Sequence, residues 1–263
     1  MPDLPDLIVP SRFRGPPSSG NGGWTAGAVS AYAVEPEVAF PRPAVSVSLH
    51  APPPLDVPLA VGPADAGGVV ARYDGTAVLS ARRTGDPLVD VEPVHPEEAR
   101  LATAAFVGLS SHPFPSCFSC GTGRSAGDGL RIFPGRVSDA TPEPGEEPRP
   151  RVAATWTPDP SVAADLQHDP DGALRASVPV TWAALDCVGG WAGDLEERLM
   201  VLARMTARLD SLPVVGEEHV VVGLGRGREG RKAWTSATLY DADGRVVGTA
   251  EHLWVEVDPA DFA

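Results

Sequence analysis

The stretch PVTWAALDCVGGWAG, residues 179–193, is almost wholly apolar or small and carries one carboxylate, Asp186, in its middle. Ser177 and Pro179 are typical of a helix start, and the glycine pair near the end of the stretch is typical of a helix end. Because no side of such a helix would be polar, the pattern predicts a helix buried on most sides rather than an amphipathic one. Asp186 is therefore expected to be a carboxylate in the interior of the protein.

A second charge-poor stretch, GGWTAGAVSAYAVEP at residues 22–36, predicts another buried helix. Each stretch precedes alternating segments typical of β-strands, with similar hairpin turns at residues 73–75 and 240–244. A buried helix followed by long antiparallel strands, occurring twice, indicates an α+β chain with an internal duplication. The predicted boundaries are 1–92 for the first unit, 93–116 for a linker with a short helix, and 117–263 for the second unit.

Composition and charge restrict the class of protein. The formal net charge of -14 argues against general binding of nucleic acids and against an anionic membrane surface as a partner. No run approaches the roughly 18 apolar residues of a transmembrane helix, and the first residues lack the architecture of a signal peptide. Three cysteines do not make a disulfide framework and suit a reducing compartment. We therefore expect a cytoplasmic globular protein.

Three stretches resemble segments of one protein family. FRGPPSSGNGGWTAGAVSAYA, residues 13–33, looks like the glycine-rich helix opening of a hotdog unit, with Asn21 where many members have His or Asn. CFSCGTGRSAGDGLRIFPG, residues 117–135, is similar to the Cys-x-x-Cys-Gly segment of hotdog domains of the phenylacetyl-CoA thioesterase type. WAALDCVGGWA, residues 182–192, resembles the central helix that carries the acid of such enzymes. The chain thus resembles the double-hotdog acyl-CoA thioesterases.

This resemblance implies a double hotdog of α+β class, in which two curved antiparallel sheets each wrap a buried central helix. It also implies hydrolysis of an acyl-CoA or acyl-carrier thioester without a cofactor, by a monomer with two pseudo-symmetric halves or by a homodimer. Two alternatives remain open. One is a hydratase or dehydratase of acyl thioesters on the same fold, and the other is a non-catalytic acyl-CoA-binding or scaffold protein.

Asp186 is the candidate catalytic acid. A buried, unpaired carboxylate is destabilised by several kcal/mol and shifts its pKa upward, so it persists where it is hydrogen-bonded or where function requires it. The functional interpretation is a general base or nucleophile that faces a cleft. The alternative is a structural aspartate bonded to the neighbouring backbone or to a hydroxyl group.

Gly22 and Gly23 lead into the first predicted helix and are the candidate carbonyl-binding residues. Free backbone N–H groups and the helix dipole favour negative charge at a helix N terminus, and glycine allows a carbonyl to approach closely. A plain glycine-rich turn is the alternative. The resemblance implies one composite site, with Gly22 and Gly23 facing Asp186, and a pseudo-symmetric site that lacks its acid.

Further candidates lie on the strands of the second half. In the thioesterases that this chain resembles, a Thr and a Gln support the acid and its water, and the matching strands offer Thr206 and either Glu251 or His252. Because neighbours along a strand face opposite sides, only one of Glu251 and His252 can face the helix, and the pattern does not decide which. Ordinary strand surface is the alternative for these residues.

The candidate substrate-binding residues fall into two groups. Asn21, Trp24 and Trp182 lie beside or within the two predicted helices. Arg231 and Lys232 belong to a basic cluster that suits a phosphate of CoA or of a carrier protein. For the basic cluster, the alternative is a solvated hairpin rim.

The cysteines resemble an incomplete zinc site. Cys117 and Cys120 have the spacing of half a site, and His112 and Cys187 are the candidates to complete it. Since a second Cys-x-x-Cys pair is absent, the sequence predicts no metal and a packing role for the pair. No histidine stands at a triad-like spacing from Cys187, which is interpreted as a small buried residue.

Overall fold

A computed structural model of the chain describes residues 4–35, 38–65, 67–140, 148–163, 172–258 and 260. Within these ranges the chain forms three α-helices: α1 (Gly22–Ser30), α2 (Pro96–Ala104) and α3 (Val178–Ala192). Both buried helices predicted from the sequence are present. The helix α1 begins at Gly22, as predicted, and ends at Ser30, whereas the predicted stretch extended to residue 36.

The strands of the described chain form one eleven-stranded sheet in which every neighbouring pair is antiparallel. The order across the sheet is β1-β3-β4-β5-β2-β8-β11-β10-β9-β7-β6. The strands are β1 (Leu7–Ile8), β2 (Val45–Leu49), β3 (Pro58–Pro63), β4 (Val69–Tyr73), β5 (Thr76–Arg83), β6 (Gly135–Ala140), β7 (Arg149–Trp156), β8 (Met200–Leu209), β9 (His219–Glu229), β10 (Lys232–Tyr240) and β11 (Val246–Glu256).

The pairing of β2 with β8 joins the two halves of the chain. Val45 lies opposite Ala207, and Ser46 lies opposite Thr206. An unpaired strand edge exposes backbone hydrogen-bonding groups, and edge-to-edge pairing of the two units satisfies those groups on both strands. The two predicted sheets are therefore continuous with each other.

The hairpin turns were predicted correctly. Between β4 and β5, Asp74 and Gly75 both have positive φ angles, of 46° and 77°, as the common two-residue hairpin turn requires. Between β10 and β11, the turn contains Gly244 at a φ of 76°.

The helices α1 and α3 pack against each other and against the sheet, which explains why both sequences are poor in charge. A Cβ atom added to Gly23 would lie 2.8 Å from the carbonyl oxygen of Trp182, and one added to Gly27 would lie 2.7 Å from the Cα of Pro179. The two helices thus approach backbone to backbone. Glycine is required at both positions because any side chain would push the helices apart.

The helix α2 lies in the predicted linker and packs on β6 and β7. Pro96 occupies its first turn, and the Nδ1 atom of His95 accepts a hydrogen bond from the Glu97 N–H at 3.3 Å. In the described ranges, no helix combines the length and the apolar character needed to cross a membrane.

Candidate active site

Asp186 lies in the middle of α3 and is 2% exposed. Its Oδ2 atom accepts hydrogen bonds from the Gly23 N–H at 2.9 Å and from the Asn21 Nδ2 at 3.0 Å. Within the described structure its other oxygen, Oδ1, is buried and has no hydrogen-bond partner. One oxygen of the carboxylate is therefore held in place, and the other is left for a further partner.

Asn21 has two roles in this arrangement. Its Oδ1 atom accepts a hydrogen bond from the Trp24 N–H at 2.8 Å, which caps the N terminus of α1. Its Nδ2 group donates to Asp186 on the other helix. The capping role follows from the sequence position of an asparagine before a helix, whereas the contact across to α3 required the structure.

The environment of Asp186 places its pKa near neutrality. Burial is the largest influence and raises the pKa of Asp186 to about 7, against the lowering effect of the Gly23 N–H. Nearby Cys117 also raises the pKa, and the Asn21 amide lowers it. A carboxyl group with such a pKa exchanges a proton readily near pH 7.

Asp186 borders a cavity of about 400 Å³, a volume typical of sites for small molecules. The cavity is also bordered by Asn21 and Gly22 at the N terminus of α1. Its wall is otherwise mostly apolar, and its larger apolar residues are Leu49, Phe114, Leu195, Met200, Leu202 and Trp254. Asn21 and Asp186 lie where α1 meets α3, and Ser19 and His50 are the other polar side chains of the described wall besides the cysteines.

Three buried cysteines lie beside the acid. The sulfur atoms of Cys117 and Cys187 are 3.5 Å apart, and those of Cys117, Cys120 and Cys187 all lie within 4.8 Å of one another. Burial raises the pKa of Cys120, and the indole N–H of Trp191 opposes that shift. His112, the other candidate to complete the zinc site, is not among the side chains whose ligand atoms lie within that distance. The sequence analysis named Cys187 as a candidate partner of Cys117 and Cys120, but it could not place the three together because Cys187 comes from a different element.

The two tryptophans predicted to bind substrate do not border the cavity, as far as the structure describes it. Trp24 stacks on Phe13 with the ring centroids 4.2 Å apart. Trp182 is buried where α3 crosses α1, beside Gly27. Both side chains pack in the core, where they stabilise the positions of α1 and α3.

The strand candidates lie apart from the described wall of the cavity. Thr206 donates a hydrogen bond from its Oγ1 to the Ser46 Oγ at 3.0 Å, between the two halves of the sheet. Glu251 is exposed and pairs with Arg226 at 3.5 Å. His252 is buried and faces α3, close to Gly189. Burial lowers the pKa of His252 to about 4, which keeps this imidazole neutral.

Arg231 and Lys232 lie at the tip of the β9–β10 hairpin, outside the described wall of the cavity. The guanidinium group of Arg231 donates two hydrogen bonds to the carbonyl of Glu256, at 3.0 and 2.6 Å. Arg228, near the end of β9, forms an ion pair with Asp194 at 3.6 Å. The structure therefore does not bring these predicted substrate-binding residues to Asp186.

Comparison with solved structures identifies proteins of similar fold. No family model matches the sequence, and no curated protein matches it. One similar solved structure is that of a tesB protein from Mycobacterium avium subspecies paratuberculosis. The match covers 90% of this chain and 87% of that protein's chain, at 14% identity and a TM-score of 0.54. A second match is a hot dog fold protein of unknown function from Alicyclobacillus acidocaldarius. The match covers 97% of this chain and 92% of that protein's chain, at 16% identity and a TM-score of 0.58.

A third structure, the acyl-CoA thioesterase II TesB2 of Mycobacterium marinum, covers 91% of this chain and 90% of its own, at 12% identity and a TM-score of 0.54. The chain has a double-hotdog fold. The fold class predicted from the sequence is confirmed. The acid and the capping asparagine of this double hotdog lie on its two different central helices.

The double hotdog has a second, pseudo-symmetric position that differs from the first. Ser30 stands eight residues after the first residue of α1, as Asp186 does in α3, and its hydroxyl donates within its own helix. Pro179 is the second residue of α3, as Gly23 is of α1, and proline has no N–H to donate. The cavity beside Ser30 and Trp182 has only about 20 Å³. This position therefore has no carboxylate, no backbone N–H that matches that of Gly23, and no cavity large enough for a substrate.

Proposed function

We propose that this double hotdog hydrolyses an acyl thioester, either an acyl-CoA or an acyl-carrier thioester. The observation that carries the proposal is the unpaired Oδ1 of Asp186 at the wall of an apolar cavity, beside the N terminus of α1. The names of two fold neighbours, a tesB protein and an acyl-CoA thioesterase II, support the same class of reaction.

In the proposed reaction, Asp186 acts as a general base. Its Oδ1 takes a proton from a water molecule, whose oxygen attacks the carbonyl carbon of the thioester. The C–S bond of the resulting tetrahedral intermediate then breaks, and the departing thiolate takes the proton back from Asp186. The products are a carboxylic acid and a free thiol, and the carboxylate is regenerated.

The developing oxyanion requires a donor, and Gly22 is our candidate. The Gly23 N–H is already bonded to Asp186, so the carbonyl-binding role predicted for both glycines passes to Gly22 alone. Gly22 borders the cavity, and its N–H belongs to the first turn of α1, where backbone N–H groups lack intrahelical acceptors. A backbone N–H at this place stabilises negative charge on the carbonyl oxygen in the transition state.

The test is release of free thiol from a panel of acyl-CoAs by the wild-type protein and by the Asp186→Asn variant. We expect Asp186→Asn to lower kcat/KM by at least about 100-fold, since a general base contributes roughly 10²–10⁴ in rate. The matched control is Asp74→Asn, the same substitution in an exposed hairpin turn, which should leave the activity unchanged. Full activity in Asp186→Asn, or tight binding of acyl-CoA without turnover by the wild type, would contradict the proposal.

A further inference from the structure

The three cysteines of the chain meet at one place in the fold, although Cys187 lies 67 positions after Cys120 in the sequence. Cys117 and Cys120 lie in the segment that precedes β6, and Cys187 lies in α3 directly after Asp186. All three are free thiols and all three are buried. The proposed hydrolysis uses none of them.

The spacing of the sulfur atoms suits a metal ion. Zn²⁺ binds thiolates at about 2.3 Å with tetrahedral geometry, which places its sulfur ligands about 3.8 Å from one another. The Cys117 and Cys187 sulfurs are 3.5 Å apart, and no pair in the cluster exceeds 4.8 Å. Small rotations of the side chains therefore give all three sulfurs the separation that one ion needs.

Two N–H groups stand close to the cluster and are free to orient bound thiolates. The Nδ2 group of Asn21 lies 3.7 Å from the Cys117 sulfur and 3.9 Å from the Cys187 sulfur. The indole N–H of Trp191, one turn after Cys187 in α3, is buried and has no hydrogen-bond partner among the described residues. Such N–H donors around sulfur ligands stabilise and orient bound thiolates.

We propose that Cys117, Cys120 and Cys187 bind one Zn²⁺ ion through their three sulfur atoms. On binding, the three thiols release three protons to solvent, and the resulting unit carries a single negative charge. Thiolate ligands select zinc over Mg²⁺ or Ca²⁺, which prefer oxygen ligands. All three residues border the cavity beside Asp186, so a water molecule from that cavity is the fourth ligand of the proposed site.

This proposal departs from the sequence interpretation, which predicted no metal. Of the two candidates that the sequence offered to complete the half site, Cys187 supplies the third sulfur from α3. The ion would tie the segment of Cys117 and Cys120 to α3 beside Asp186, and so hold one wall of the cavity. The proposal does not depend on thioester hydrolysis.

The experiment uses the full chain, treated with a chelator and a reductant and then titrated with Co²⁺ in the absence of oxygen. We expect a sulfur-to-cobalt charge-transfer band and tetrahedral visible bands that saturate at one equivalent, and Zn²⁺ should abolish them. Cys120→Ser should weaken cobalt binding by more than the roughly 100-fold that loss of a hydrogen-bonding neighbour costs. Asp186→Asn, which keeps every sulfur, should retain the bands, and this separates the metal site from hydrolysis.

A second measurement needs no variant that could lose its fold. Added Zn²⁺ should protect the three thiols of the wild-type protein from a thiol-specific reagent and should raise its Tm. The proposal is overturned if the reduced protein has three reactive thiols in the presence of excess Zn²⁺ and shows no cobalt band. It is equally overturned if Zn²⁺ changes neither the reactivity of the reduced thiols nor the Tm.

Discussion

At the scale of single residues, the site depends on how Asp186 is held. Its Oδ2 is bound by a side-chain amide and a backbone N–H from the other central helix, and its Oδ1 is left unpaired at the cavity wall. Burial without these two donors would make the carboxylate far more costly to ionise. Asn21 and Gly23 therefore set both the orientation and the ionisation of the acid, and both are positioning residues in the proposed mechanism.

The role of Asn21 leads to the first prediction at this scale. Asn21→Ala removes the cap of α1 and one hydrogen bond to Asp186, and we expect about 0.5–2 kcal/mol of lost stability from the cap. We also expect kcat/KM to fall by about tenfold, mainly through kcat, because a hydrogen bond to a charged group is worth roughly 1.5–3 kcal/mol. Steady-state kinetics and urea unfolding measure the two effects.

Ser177→Ala is the matched control for Asn21→Ala. Ser177 caps α3 through the Val180 N–H at 3.4 Å and makes no contact with Asp186. The control should lose similar stability and keep its activity. Equal losses of activity in the two variants would show that capping alone, and not the positioning of the acid, explains the effect of Asn21→Ala.

At the scale of the elements, the close crossing of α1 and α3 brings the acid to its donors. Gly23 and Gly27 allow the helices to approach until the backbones touch, and this distance places the Gly23 N–H within 2.9 Å of the carboxylate. A wider crossing would leave a buried carboxylate without its donors. The packing of the core and the geometry of the site therefore have the same cause.

Gly27 tests the crossing without touching the acid. In Gly27→Ala, the new methyl group would lie 2.7 Å from the Pro179 Cα and 2.8 Å from the Trp182 Cβ. We expect a loss of about 1–3 kcal/mol in the free energy of unfolding, as is usual when a tightly packed core is overfilled. The measurement is the urea unfolding midpoint.

Gly62→Ala provides the comparison for this prediction. A methyl group at Gly62, in β3, would meet nothing within 4 Å, so its effect on stability should be within about 0.5 kcal/mol. If Gly27→Ala were as stable as Gly62→Ala, the helices would have room to separate, and the crossing would not position the acid as we describe.

At the scale of the whole molecule, the two hotdog units are joined by the β2–β8 pairing and by the α1–α3 contact. The candidate site itself is made from both halves, since Asn21 and Gly22 come from one and Asp186 from the other. The pseudo-symmetric position beside Ser30 is filled by packing instead. The double hotdog therefore contains two similar units, but only one of the two related positions has an acid and a cavity.

This continuity predicts cooperative unfolding. Because the sheet and the helix pair both cross the boundary between the halves, we expect a single calorimetric transition for the wild-type protein. Gly27→Ala should move that transition to lower temperature without splitting it. Two resolved transitions, of which only one responds to Gly27→Ala, would show that the halves fold as independent domains.

Local patterns were sufficient to predict much of the fold. The absence of any polar face in residues 179–193 predicted a buried helix, and the Asp74–Gly75 pair predicted a hairpin, because burial and turn geometry are properties of neighbouring residues. The same patterns singled out Asp186 as an acid in an apolar helix. The edge-to-edge joining of the two sheets was not predicted, since strand alternation does not specify which strands pair across the halves.

The sequence by itself therefore determined the class of fold, the two buried helices and the position of the acid on one of them. Only the tertiary structure decided that Gly23 holds the acid, that His252 faces α3 while Glu251 faces outward, and that Cys187 joins the other two cysteines. The physical reason is the distance along the chain over which each kind of information extends. Periodicity reports which residues share a face of one element, whereas contacts between elements depend on crossing distance and strand register, which arise from packing of the whole core.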